Sequence, residues 1–76
     1  MKEKLKNFQE NGKRGLFVLS DGGKLIATVS SVLGELVVFN HVRYSYAGTI
    51  PQYPIEYDEI CFRIDAVIGC AEEKTP

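Results

Sequence analysis

The sequence predicts a mostly β protein: a short N-terminal α-helix followed by a five-stranded, strongly bent small barrel with a long excursion between its third and fourth strands. Three observations carry this. Residues 16–40 hold three runs of strand-forming side chains, separated by two glycine-containing turn signals. Gly22, Gly23 and Gly34 interrupt the same stretch, so no helix of useful length fits it. The first residues instead place Met1, Leu5 and Phe8 on one side of a helical turn pattern.

Taken in order, residues 1–14 form the helical N-terminus, with the helix over Lys2 to Asn11 and its stop at Asn11-Gly12. A helix this short is marginal in isolation, so Leu5 and Phe8 must dock on the sheet. Residues 16–19 are the first strand, ended by Ser20-Asp21-Gly22-Gly23, where Asp-Gly marks a hairpin because glycine accepts a positive φ. Residues 24–32 follow, rich in β-branched side chains, and Leu33-Gly34-Glu35 is the second turn. Residues 36–39 begin the third strand, which His41 to Tyr46 extend by alternation. Residues 47–58 contain Pro51 and Pro54 and are expected as a hairpin loop or extended excursion. Residues 59–70 make two strands meeting at a corner at Asp65-Ala66, as small barrels do when a strand passes between sheets. Residues 71–76 are a polar, frayed tail.

Seventy-six residues make a single domain, 1–76. A domain of that size buries only about 60% of its unfolded surface and needs help from disulfides, metals or oligomerisation. Cys61 and Cys70 form no CxxC pair and are expected as buried small hydrophobes. Both together with His41 would leave zinc short of a fourth ligand, so no metal or other cofactor is expected. Self-association is the remaining helper. No apolar run is long enough to span a membrane and the N-terminus lacks a signal-peptide core, so the expected location is cytoplasmic. The net charge of −1 hides a gradient from five basic residues in 1–14 to six acids in 44–76. That is not the footprint of a strong nucleic-acid binder.

The meander resembles the Sm-like family of small SH3-like barrels, including its Hfq-like bacterial branch. Asp21-Gly22-Gly23-Lys24-Leu25 is similar to the Asn-Gly-x-Lys-Leu turn between that family's first two strands. Val29 and Leu36-Val37-Val38-Phe39 fall on its aliphatic second and third strands, and Ile64-Asp65-Ala66-Val67-Ile68 resembles its closing corner. The resemblance implies the barrel, and a ring in which free strand edges of neighbouring copies pair. It departs at Ala27, where the family has glycine in its bent second strand, so a different bend is expected. Leu33-Gly34-Glu35 replaces a turn that supplies base-stacking groups, and Ile60-Cys61-Phe62 stands where the Hfq-like branch has Tyr-Lys-His. No RNA-site residue carries over.

All four tyrosines, Tyr44, Tyr46, Tyr53 and Tyr57, fall within fourteen residues beside Arg43 and His41. They are the candidate ligand- or partner-binding set, since tyrosine offers a π-face and a hydroxyl. The alternative is that the rings pin the excursion over a thin core. Ile60, Phe62, Ile64 and Val67 are the candidate oligomer interface, on the last two strands. With one histidine and no nucleophile motif, no catalytic residue is expected and the protein is read as not an enzyme. The leading reading is an oligomeric barrel binding RNA or a nucleotide at subunit junctions or through the tyrosine-rich loop. The alternatives are a protein-interaction module or inhibitor of the phage or mobile-element type, docking a protein partner through that loop, and a subunit of a larger assembly without a separate ligand.

Overall fold

The computed structural model of the chain describes residues 1–46 and 54–72. Its elements are α1 (Lys2–Asn11), β1 (Arg14–Leu19), β2 (Lys24–Leu33), β3 (Leu36–Ser45), β4 (Ile55–Arg63), a 3₁₀ turn (Ile64–Ala66) and β5 (Val67–Glu72). The strands form one antiparallel sheet in the order β4-β3-β2-β1-β5. Helix, meander and corner therefore stand where the sequence places them. Among the described residues no helix is long and apolar enough to cross a membrane.

The excursion is shorter than expected. β4 begins at Ile55, and residues 55–57 pair with residues 42–44 of β3. Pro54 sits just ahead of the strand, where its missing N–H costs no ladder bond. Pro54 thus bounds the strand instead of excluding it. Pro51 and Tyr53 lie outside the described residues.

The bend comes from two β-bulges. Ile26 pairs with Arg43 and Thr28 with Asn40, so His41 and Val42 together face the single residue Ala27. Val29 pairs with Phe39 and Ser31 with Val38, leaving Ser30 as the compensating extra residue on β2. Each bulge kinks its strand and adds twist. His41 carries the first with φ of 53°, the one left-handed non-glycine among the described residues. Ala27 needs no glycine-like freedom because β3, the opposing strand, absorbs the irregularity.

Inward residues alternate along each strand and pack on α1. Leu5, Phe17, Leu25, Ala27, Val37 and Phe39 are wholly buried. The helix docks through Leu5 and Phe8, whose burial is worth about 1.5–3 kcal/mol each. Met1, expected on the same apolar side, is exposed instead. Gly15 is where helix and sheet come closest: a Cβ there would lie 2.6 Å from the Phe8 ring. From that contact an unbroken aromatic chain crosses the core, Phe8 to Phe17 at 5.1 Å, Phe17 to Phe39 at 4.8 Å and Phe39 to Phe62 at 6.2 Å. Cys61 was expected inside but is exposed, because alternation turns it away from Ile60 and Phe62. Cys70 is half-buried against the core.

Candidate functional site

The tyrosines extend the aromatic chain. Phe62 stacks on Tyr44 with ring centroids 5.8 Å apart and planes 15° from parallel. Tyr44 then meets Tyr46 at 4.4 Å and Tyr57 edge-on at 6.3 Å. Tyr44 is 4% exposed and belongs to the core, whereas Tyr46, just past the end of β3, is 45% exposed. The hydroxyls of Tyr46 and Tyr57 share a 3.0 Å hydrogen bond. Burial, then the carboxylate of Asp21, then Tyr46 raise the Tyr44 hydroxyl above the ordinary tyrosine pKa. Its hydrogen bond with Tyr46 chiefly raises Tyr57. Tyr44 and Tyr57 therefore stay neutral at physiological pH, as apolar bodies with hydroxyl donors and acceptors.

Tyr44 also reaches the first turn. A Cβ on Gly23 would lie 3.1 Å from the Tyr44 hydroxyl oxygen and 3.0 Å from Asp21 Oδ1. Asp21 accepts the Gly23 amide at 2.8 Å, the side-chain turn that Asp-Gly favours. Gly22 has φ of 91°, as the hairpin reading requires. The turn and the tyrosine cluster are one packed unit.

His41 and Arg43 do not join the rings. Alternation through the bulge sends them to the opposite, outer face of the sheet, beside Glu56 and Asp58 of β4. There they line a groove of about 480 Å³ with Arg14 of β1. Arg43 Nε stands 3.6 Å from Glu56 Oε1, and the Arg14 guanidinium donates to the Ile26 carbonyl at 3.4 Å. Sequence reasoning missed Arg14, because only the strand register shows that β1 and β3 flank the same two residues of β2. The candidate set thus divides in two: Tyr44, Tyr46 and Tyr57 in one ring cluster, His41 and Arg43 on the outer groove, which Tyr57 also borders, with Tyr53 outside the described residues.

β4 and β5 are the terminal strands of the sheet, and each has a strand neighbour on one side only among the described residues. Of the four candidate interface residues, Ile64 and Val67 are buried in the chain's own core, while Ile60 and Phe62 are half-buried. Ile55 of β4 and Ile68 of β5 remain exposed, 43% and 62%. At the corner between the strands, Arg63 Nη2 meets Asp65 Oδ2 at 3.3 Å, both side chains 70% exposed. At the hairpin tip, Leu33 and Leu36 flank Gly34-Glu35 and are exposed. No aromatic ring stands at that tip. No three His, Cys, Asp or Glu side chains are grouped to hold a metal ion among the described residues.

No family model and no curated protein sequence matches the chain. Solved structures do. A Pyrococcus abyssii Sm protein, determined in complex with a uridine heptamer, superposes with a TM-score of 0.69 at 17% identity, over 93% of this chain and 94% of that one. A heptameric archaeal Sm protein superposes with a TM-score of 0.70 at 14% identity, over 95% of this chain and 98% of that one. A likeness that spans nearly all of both chains at so low an identity is a likeness of architecture, and this chain is a small β-barrel of the Sm-like fold.

Proposed function

We propose that this protein is a non-enzymatic barrel that assembles with copies of itself through the edges of β4 and β5 and binds RNA or a nucleotide at the junctions between copies. The observation that carries the reading is the sheet order, which leaves those two strands as edges. An unpaired edge is a row of backbone donors and acceptors, and pairing β4 of one copy with β5 of the next satisfies both rows. A rotation that closes makes a ring. The heptameric state of one structural neighbour and the uridine heptamer bound to another support the same reading. Arg63, exposed at the end of β4, is the cation best placed to meet phosphate at a junction. Stacking would come from the tyrosine face, because the hairpin tip carries leucines where a ring would be needed.

The test is fluorescence anisotropy of a labelled uridine oligomer titrated at several salt concentrations. Binding that weakens steeply as salt rises supports the reading. No binding at about 50 mM salt, where phosphate contacts are strongest, contradicts it.

A second reading has its own observation. Glu56, Asp58 and Glu59 are all exposed on β4, an acidic row that suits a basic protein partner. Retention of one protein at salt concentrations that abolish RNA binding would favour it.

A further inference from the structure

We propose that the outer-face groove at the His41 bulge is a binding site for a small phosphorylated molecule that also carries hydroxyl or amino donors, a nucleoside monophosphate being the simplest example. The groove includes residues 56–58 of the edge strand β4 but lies away from the Arg63 corner at which the RNA reading places a phosphate. The groove, about 480 Å³, lies in the size range of small-molecule sites, roughly 300–1,000 Å³.

The argument starts from register. Arg14 of β1 pairs with Thr28 of β2, yet its guanidinium reaches sideways to the Ile26 carbonyl at 3.4 Å. Ile26 is the register partner of Arg43 on β3. Arg14 and Arg43 thus line one groove from either side of β2, and guanidinium groups are the side chains best suited to hold an oxyanion there. Among the described residues Arg43 forms an ion pair with Glu56 at 3.6 Å, with side chains 61% and 73% exposed. Pairs that open to water contribute little, so a ligand oxyanion can take Arg43 at small cost.

The bulge completes the site. It places His41, in a left-handed conformation (φ 53°), in the groove lining with Arg43. Residues held in such sparsely populated backbone regions cluster at binding sites. Glu56 and Asp58, on the same rim, set the selectivity. Two carboxylates repel a bare phosphate, but they accept hydrogen bonds from ribose hydroxyls or an exocyclic amine. The groove therefore suits a molecule with an oxyanion at one end and donors at the other.

The experiment is a titration of the full chain, followed by two-dimensional amide NMR, with adenosine 5′-monophosphate, adenosine and inorganic phosphate as probes. The monophosphate is expected to shift residues 41–43 and 56–58 saturably and to bind more tightly than either part alone. Arg43→Gln should weaken it by about tenfold or more, and Arg43→Lys by less, with melting unchanged in both. Glu56→Gln should bind inorganic phosphate more tightly while losing preference for the monophosphate over it. The proposal is overturned if the monophosphate at about 5 mM leaves those residues unmoved. Equal binding of adenosine and the monophosphate, or wild-type affinity in folded Arg43→Gln, overturns it as well. Uridine-oligomer binding that survives Arg43→Gln separates this site from the junction.

Discussion

The amide of Ile64 donates a 2.8 Å hydrogen bond to the carbonyl of Glu35, joining the corner between β4 and β5 to the tip of the β2–β3 hairpin. Two residues on, the Ala66 carbonyl accepts the Ser20 amide at 2.8 Å, from the turn that follows β1. β4 and β5 do not pair with one another, so these two bonds and the buried Ile64 side chain hold that end of the open barrel. Ile64→Ala is expected to lower stability by about 2–5 kcal/mol, read from urea unfolding. A loss under about 0.5 kcal/mol, the size of an ordinary surface change, would place the closure elsewhere.

Backbone strain separates two turns of the chain that look alike in φ. Gly22 at 91° and His41 at 53° both lie in the left-handed region. Gly22→Val should cost about 1–3 kcal/mol, because a β-branched side chain fits that region poorly. His41→Gly should cost nothing or raise the melting temperature, since glycine enters the bulge freely while the exposed imidazole supports no core contact. Equal destabilisation by both would mean that the imidazole holds the bulge.

The sequence carried the turns and strands because each has a local cause: Asp21-Gly22 for the first reversal, Gly34 for the second, and alternation from Leu36 onward. It did not carry the bulges. Ser30 and His41 are ordinary residues, and only their strand partners reveal that they are supernumerary. It also grouped His41 and Arg43 with the tyrosines from nearness in the chain, while a period of two sends neighbours to opposite faces. The aromatic chain from Phe8 to Tyr46 was not legible either, because its members come from α1, β1, β3 and β4 and meet only after folding.

That chain predicts unequal roles for adjacent tyrosines. Tyr44→Ala removes a buried ring with contacts to Tyr46, Tyr57 and Phe62 and should destabilise the fold by about 3–5 kcal/mol. Tyr46→Ala removes a half-exposed ring and should cost about 1 kcal/mol or less in stability. If Tyr46 is a stacking surface, the same variant should weaken uridine-oligomer binding by about 1–3 kcal/mol. Stability loss with unchanged binding in the folded fraction would leave Tyr46 a structural cover alone.

Alkaline titration follows from the same cluster. In the unfolded chain Tyr44 ionises near the ordinary 10.0, and in the folded chain above it, so the native state holds that proton more tightly. Its contribution is fully present below about pH 10 and is lost as pH rises through the folded value. Thermal melts should therefore hold steady up to that range and then fall, and Tyr44→Phe, which cannot ionise, should fall less steeply. An identical alkaline limb in the variant would contradict the assignment.

The most direct test of the central claim is native mass spectrometry of the freshly purified chain, alongside light scattering at about 100 μM, where even weak interfaces associate. If β4 and β5 pair between copies, both measurements give one closed homo-oligomer of fixed stoichiometry. A monomer in both would contradict assembly through those edges, and with it the junction site for RNA.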